Sequence, residues 1–145
     1  MNHVPKLITQ EGLLANKNIL ITGSGSGIGR AVAKAAAEQD ANLILLSKDI
    51  KKLYSLQDEI CNKGHKEPLV VELDFYKAKE KDYKTLAENL YDQYERLDGI
   101  AHIAGVLGYL SPIINTSLSQ LKTVMQVNFE SNFLLTQLAL PLVLQ

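Results

Sequence analysis

Four glycines lie within seven residues of this chain, at positions 23, 25, 27 and 29, and they constrain its fold more than any other feature. An apolar run at 18–21 precedes them and strong helix formers at 30–39 follow. A strand, a glycine-rich turn and a helix in this order are typical of a nucleotide site, because glycine lets the backbone approach a ligand closely. The helix would point free N–H groups and its positive dipole end at the ligand, which favours a pyrophosphate. The alternative is a tight turn that binds nothing, but four glycines are more than such a turn needs.

Composition excludes several other classes of protein. The chain has 145 residues, 46% of them hydrophobic and 21% charged, with a net charge of −1, so there is no electrostatic case for nucleic acid or an anionic membrane as a partner. Cys61 is the single cysteine, which excludes an internal disulfide framework and fits a reducing compartment. The first residues have no continuous apolar core of the kind a secretory signal requires. We therefore expect a cytoplasmic protein without a membrane partner.

The order of apolar and polar segments predicts alternating strands and helices. Strands are expected over 18–22, 42–47, 68–73 and 99–103, and helices over 28–39, 50–63 and 82–94, followed by a long fourth helix after Ser117. The second strand is continuously apolar, which is typical of a parallel sheet covered on both faces. We predict one α/β domain over residues 1–145, a Rossmann-type doubly wound parallel sheet with strand order 3-2-1-4. Its ligand crevice would lie at the carboxyl ends of strands one and four.

The glycine segment also resembles a specific family motif. Thr22 is followed by glycines at every fixed position of Thr-Gly-x-x-x-Gly-Ile-Gly, the motif of the short-chain dehydrogenases/reductases. The resemblance implies a nicotinamide dinucleotide as cofactor. The turn residues expected to bind it are Gly23, Ser24, Ser26, Gly27, Ile28 and Gly29.

The end of the second strand bears on the choice between NAD and NADP. In dinucleotide sites an acidic residue there bonds the ribose 2′-hydroxyl, whereas a basic residue accommodates a 2′-phosphate. Here the strand ends in Ser47 and Lys48, a hydroxyl and an ammonium group that could both hold a phosphate. We predict an NADP preference, with NAD possible. The alternatives are that Lys48 is a solvated surface lysine and that Asp49 reaches the ribose.

Two further strand ends match the family in part. Asp74, followed by Phe75, falls where the family's aspartate meets the adenine amino group, although a turn-forming aspartate is the plain alternative. Ala104 and Gly105 match the end of the family's Asn-Asn-Ala-Gly segment, which approaches the cofactor, whereas Ile103 replaces an asparagine. No Cys/His spacing suggests a metal site.

Asn128 matches the family's catalytic asparagine, which holds a water in a proton relay. The family's serine and its Tyr-x-x-x-Lys pair have no counterpart here. The six tyrosines are followed four residues later by Asp58, Glu80, Ala87, Glu95, Asp98 and Ile113, and never by lysine. A tyrosine with an unperturbed pKa near 10 is a poor acid–base catalyst without such a cation.

The resemblance therefore implies the cofactor-binding half of an oxidoreductase, with the family's catalytic half absent from this sequence. Its substrate would be a small-molecule carbonyl or alcohol. The fourth helix is apolar almost all round, which predicts burial against a partner, and a homo-oligomer through this helix is expected. The alternative function is a dinucleotide-binding or protein-interaction module without catalysis.

Overall fold

Four parallel strands form one sheet: β1 (Asn18–Thr22), β2 (Asn42–Ser47), β3 (Leu69–Glu72) and β4 (Gly99–Ala101). Their order is β3-β2-β1-β4, which confirms the predicted strand order and fold class. The structure is a computed structural model that describes residues 12–145. The expectation that the chain begins without a secretory signal concerns residues 1–11 and lies outside the described part.

Strand β1 pairs with β2 along the whole length of β1. Asn18 of β1 lies opposite Asn42 of β2, and the pairing continues to Thr22 opposite Leu46. The four leucine and isoleucine side chains at 43–46 of β2 are at most 3% exposed. Because both faces of β2 are covered, the sheet needs helices on both sides.

Three helices connect the strands: α1 (Gly27–Ala37), α2 (Ile50–Asn62) and α3 (Glu80–Gln93). Asp49 caps α2 as expected, since its carboxylate accepts a hydrogen bond from the Lys52 amide at 3.2 Å. Helix α3 begins two residues earlier than predicted. Asp82 lies in the first turn and accepts a bond from the Lys79 amide at 2.8 Å, so it stabilises the helix start from inside the helix.

The segment after β4 differs from the single long helix that the sequence predicted. A short 3₁₀ turn (Ile113–Asn115) leads to α4 (Leu118–Met125), a π-helical turn (Gln126–Glu130) and α5 (Ser131–Val143). The capping box at Ser117 is confirmed, because its hydroxyl accepts a bond from the Gln120 amide at 3.2 Å and the Gln120 side chain accepts one from the Ser117 amide at 3.0 Å. The π turn lies between the two helices and contacts the loops after β3 and β4.

The hydrophobic core has one cluster on each face of the sheet. Leu20 and Ile44 point to the face covered by α3 and α5, and Ile21 and Leu45 point to the face covered by α1 and α2. Consecutive strand residues thus alternate between two helical layers, as a doubly wound sheet requires. Across residues 12–145, no helix combines the length and the apolar character that crossing a membrane requires.

Candidate functional site

The glycine turn closes tightly between β1 and α1. Gly23 has φ +67°, and a Cβ there would lie 2.8 Å from the backbone nitrogen of Ala104. A Cβ on Gly29 would overlap the carbonyl oxygen of Gly23. The turn therefore needs glycine at both positions for reasons of space, and at Gly23 also for its backbone conformation.

Thr22 links the carboxyl ends of β1 and β4. Its hydroxyl oxygen accepts hydrogen bonds from the amides of Ile103 at 3.0 Å and Ala104 at 3.1 Å. These amides lie beyond the last β4 residue, Ala101, which explains why β4 is two residues shorter than predicted. The Thr22 side chain is fully buried, so it fixes the position of the loop that follows β4.

The N-terminus of α1 is suited to an anion. In the described structure the side chain of the N-cap residue, Ser26, makes no capping hydrogen bond, and the first turn carries no acidic residue. The first amides of a helix have no partner within the helix, and they carry the positive end of its dipole. Ser26, Ile28 and Gly29 face a cavity of about 300 Å³ at the carboxyl edge of the sheet.

Most of the predicted cofactor residues line this cavity. They are Gly23, Ser26, Ile28, Gly29, Ser47, Lys48, Asp74, Phe75, Ala104 and Gly105. The sequence did not single out the other lining residues as ligands: Leu46, Leu73, Tyr76, Ile103, Val106 and Val127. Most of these are apolar, and nothing in their sequence pattern distinguishes a cavity wall from core.

Two turn residues do not line the cavity. Ser24 is fully buried, and both its amide (3.3 Å) and its hydroxyl (3.4 Å) donate to the carbonyl oxygen of Leu46. The Ser24 side chain thus fastens the turn to β2, and a cofactor contact of Ser24 stays a prediction. Gly27 is exposed at the start of α1 with φ +52°, and a cofactor contact there stays a prediction.

Lys48 provides a positive charge at the mouth of the cavity. Its Nζ atom lies 5.0 Å from the centre of the Tyr76 ring, within the range of a cation–π contact. The carboxylate of Asp49 instead caps α2 and lies 3.6 Å from the Lys52 ammonium. Lys48 thus faces the cavity, whereas the Asp49 carboxylate is engaged at the start of α2.

Asp74 forms the turn that was the plain alternative for it, and it also faces the cavity. Its carboxylate accepts a bond from the Tyr76 amide at 3.0 Å and lies 3.8 Å from the Lys77 ammonium, so it forms the turn after β3. It also lines the cavity. A contact with adenine stays a prediction.

Asn128 lies in the π turn and does not line the cavity. Its side-chain oxygen accepts a bond from the Val106 amide, and its side-chain nitrogen donates to the Val106 carbonyl, each at 2.8 Å. Both polar groups of this side chain therefore hold the loop after β4. The catalytic role of Asn128 stays a prediction. The contacts that the structure shows position the backbone of Val106.

His102 also follows β4, and its side chain contacts α5. Its Nε2 atom lies 2.8 Å from the Thr136 hydroxyl, and burial lowers the pKa of the imidazole below its usual range. Within residues 12–145, no three His, Cys, Asp or Glu side chains are grouped so that they could hold a metal ion.

Comparisons with known proteins point to one family. The family described as short chain dehydrogenase matches residues 17–145. The chain is 35% identical over 145 residues to the uncharacterized oxidoreductase YciK of Escherichia coli K12, covering all of this chain and 56% of that protein. A short chain dehydrogenase from Shigella flexneri superposes with a TM-score of 0.90 at 35% identity, covering 93% of this chain and 53% of that one.

A further solved structure, from Escherichia coli CFT073, is a protein of the same description in complex with NADPH. It has a TM-score of 0.90 at 36% identity, covering 94% of this chain and 57% of that one. The chain thus spans about half the length of the relatives that it matches.

Proposed function

This chain belongs to the short chain dehydrogenase family, and from that membership we propose that it forms the NADP-binding part of an oxidoreductase. The reaction would be hydride transfer between the nicotinamide and a small molecule with a hydroxyl or carbonyl group. The observation that carries the proposal is the uncapped N-terminus of α1, which opens onto a cavity with a lysine at its mouth.

The residues present fit a dinucleotide. The amides at the start of α1 would hold the pyrophosphate, since the Ser26 side chain leaves them without a cap in the described structure. Ser47 and Lys48 would hold the 2′-phosphate, and Asp74 and Phe75 would border the adenine. When bound, the cofactor supplies or accepts the hydride. The chain's own part is to bind and orient it.

The backbone after β4 would face the nicotinamide half of the cofactor. Ala104 and Gly105 line the cavity, and their position is set from both sides. Thr22 holds the Ala104 amide, and Asn128 holds the neighbouring Val106 backbone. Ile103, which replaces the family's asparagine, also has its amide bound to Thr22, so the backbone path does not depend on the missing side chain.

The activity test uses the protein produced from its native gene. We expect NADPH to be consumed in proportion to added carbonyl compound, in a panel of small ketones and aldehydes. Saturable NADPH binding without turnover of any of them would instead favour a dinucleotide-binding module without catalysis. Absence of binding would refute the cofactor site itself.

The NADP preference is tested by Lys48→Ala, with Lys51→Ala as the matched control. Lys51 is exposed on α2 three residues away and does not line the cavity. Hydrogen bonds to charged groups contribute about 1.5–3 kcal/mol, so the Kd for NADPH should rise at least about tenfold, whereas the Kd for NADH stays unchanged. Equal losses for both cofactors would contradict a 2′-phosphate contact.

We also infer that the chain self-associates through its last helices. Apolar side chains recur at four-residue spacing along one side of them, and they are 44–60% exposed: Leu121, Met125, Phe129 and Phe133. A continuous exposed apolar stripe is typical of a surface that another subunit covers. A dimer or tetramer by analytical ultracentrifugation is expected, and Phe133→Asp should shift it to monomer. A monomeric wild-type protein would refute this inference.

A further inference from the structure

The side chain of Gln126 connects the π turn to the loop after β3. Its Nε2 atom donates to two consecutive backbone carbonyls, those of Phe75 at 3.0 Å and Tyr76 at 3.1 Å. Both of these residues line the cavity. A single amide group therefore fixes the backbone that forms one wall of the site, although Gln126 itself does not line it.

The backbone of Gln126 is held in turn by two buried hydroxyl groups. Ser131 donates from its hydroxyl to the Gln126 carbonyl at 2.7 Å, and Tyr83 of α3 donates to the Ser131 hydroxyl at 2.9 Å. Ser131 and Tyr83 are 1% and 2% exposed. Burial of the phenol raises the pKa of Tyr83 above its usual value. The chain of bonds thus runs from α3 through the π turn to the cavity wall.

Gln126 and Asn128 reach different loops from the same turn. Residues two positions apart in a helical turn lie on different sides of it, because they are separated by about half a turn. Gln126 reaches the loop after β3, and Asn128 reaches Val106 in the loop after β4. Phe75 and Val106 line the same cavity, so the π turn sets the position of both walls relative to each other.

We infer that Gln126 is a positioning residue for the adenine half of the cofactor site, oriented by Ser131 and Tyr83. The inference rests on the proposed function. In the described part of the chain the Gln126 side chain bonds the carbonyls of Phe75 and Tyr76, so its loss should act mainly on the ligand half that this wall borders. The nicotinamide half is bordered by the loop that Asn128 holds.

The test is Gln126→Met, which keeps the length of the side chain and removes both hydrogen bonds. Two halves of the cofactor are titrated separately: 2′,5′-ADP and reduced nicotinamide mononucleotide. The lost bonds should weaken 2′,5′-ADP binding about tenfold, whereas binding of the mononucleotide changes by less than about twofold. The control is Gln93→Met, the same change at an exposed position of α3, which should alter neither.

Equal weakening of both ligands would show a general structural role and overturn the inference, as would unchanged binding of both. If Gln126→Met does not fold, Gln126→Glu gives a second test. At neutral pH it places a carboxylate against two carbonyl oxygens, so it should weaken 2′,5′-ADP binding further than tenfold and leave the mononucleotide unaffected. Failure of wild-type protein to bind NADPH would refute the proposed function separately, because that result does not involve Gln126.

Discussion

Replacing Gly29 by alanine separates packing from helix propensity at the glycine turn. Gly29 lies in the first turn of α1, where helix propensity alone predicts that alanine stabilises the protein by about 1 kcal/mol. The structure predicts the opposite, because the new Cβ would overlap the Gly23 carbonyl oxygen and lie 2.7 Å from its carbonyl carbon. Both are backbone atoms, which cannot move aside as a flexible side chain can.

The magnitude follows from these two opposing effects. Overpacking a tight site costs about 1–3 kcal/mol, and contact with backbone places this substitution near the upper end. After subtracting about 1 kcal/mol for propensity, we expect a net loss of about 2 kcal/mol. For a chain of this length, that corresponds to a Tm lower by about 6 °C. Since the turn must shift, NADPH affinity should also fall.

Two further glycines serve as controls, measured by thermal unfolding and NADPH titration. Gly27 (φ +52°) and Gly64 (φ +83°) both have positive φ, and a Cβ at either would meet nothing within 4 Å. Alanine should cost each about 1 kcal/mol through backbone strain alone. Of these two controls, Gly27→Ala is the one beside the site, so it should weaken NADPH binding whereas Gly64→Ala should not. The reasoning is refuted if Gly29→Ala stabilises the protein or costs no more than Gly27→Ala.

Three other predictions concern the supports of the site. Thr22→Val should destabilise the protein by about 2 kcal/mol because it leaves amide groups without an acceptor, and Thr22→Ser should restore most of the loss in denaturant unfolding. Asn128→Leu should speed hydrogen exchange at the Val106 amide about fivefold, since one net hydrogen bond contributes about 1 kcal/mol; unchanged exchange would contradict the contact. The Asn18 amide, with help from neighbouring cations, lowers the pKa of Asp98 to about 2. Because this pKa is depressed in the folded state, the Asp98 carboxylate stabilises the fold at pH values above its unfolded pKa of roughly 4, and the contribution is lost as the pH falls toward 2. Asp98→Asn should therefore reduce the acid-induced loss in the free energy of unfolding, measured by denaturant unfolding across this pH range.

The sheet could be predicted from sequence because its signals are local. The apolar run at 42–47 and the glycine turn predict β1 and β2, and the alternation of strands and helices along the chain, with the usual doubly wound topology, predicts the strand order. The end of β4 could not be placed, because it is set by Thr22, whose hydroxyl takes the amides of two residues about 80 positions away. The apolar pattern continues past Ala101 whether the following amides bond to a neighbouring strand or to Thr22, so the pattern does not locate the end of the strand.

The site was predicted less completely, and for the same reason. A glycine motif predicts which residues form the turn but not which side chains face the cavity, so the bond from Ser24 to Leu46 inside the protein could not be predicted. The π turn has the same apolar spacing as an ordinary helix, so the roles of Gln126 and Asn128 as supports of two loops were not visible. Polar residues in an apolar helix were the one available signal.

The most direct test of the central claim is a calorimetric titration of the protein from its native gene with NADPH and with NADH. The account predicts saturable binding of one NADPH per chain, with NADH bound more weakly and with Lys48→Ala removing most of the difference. Binding of neither cofactor would contradict the claim that the uncapped N-terminus of α1 and the adjoining cavity form a dinucleotide site.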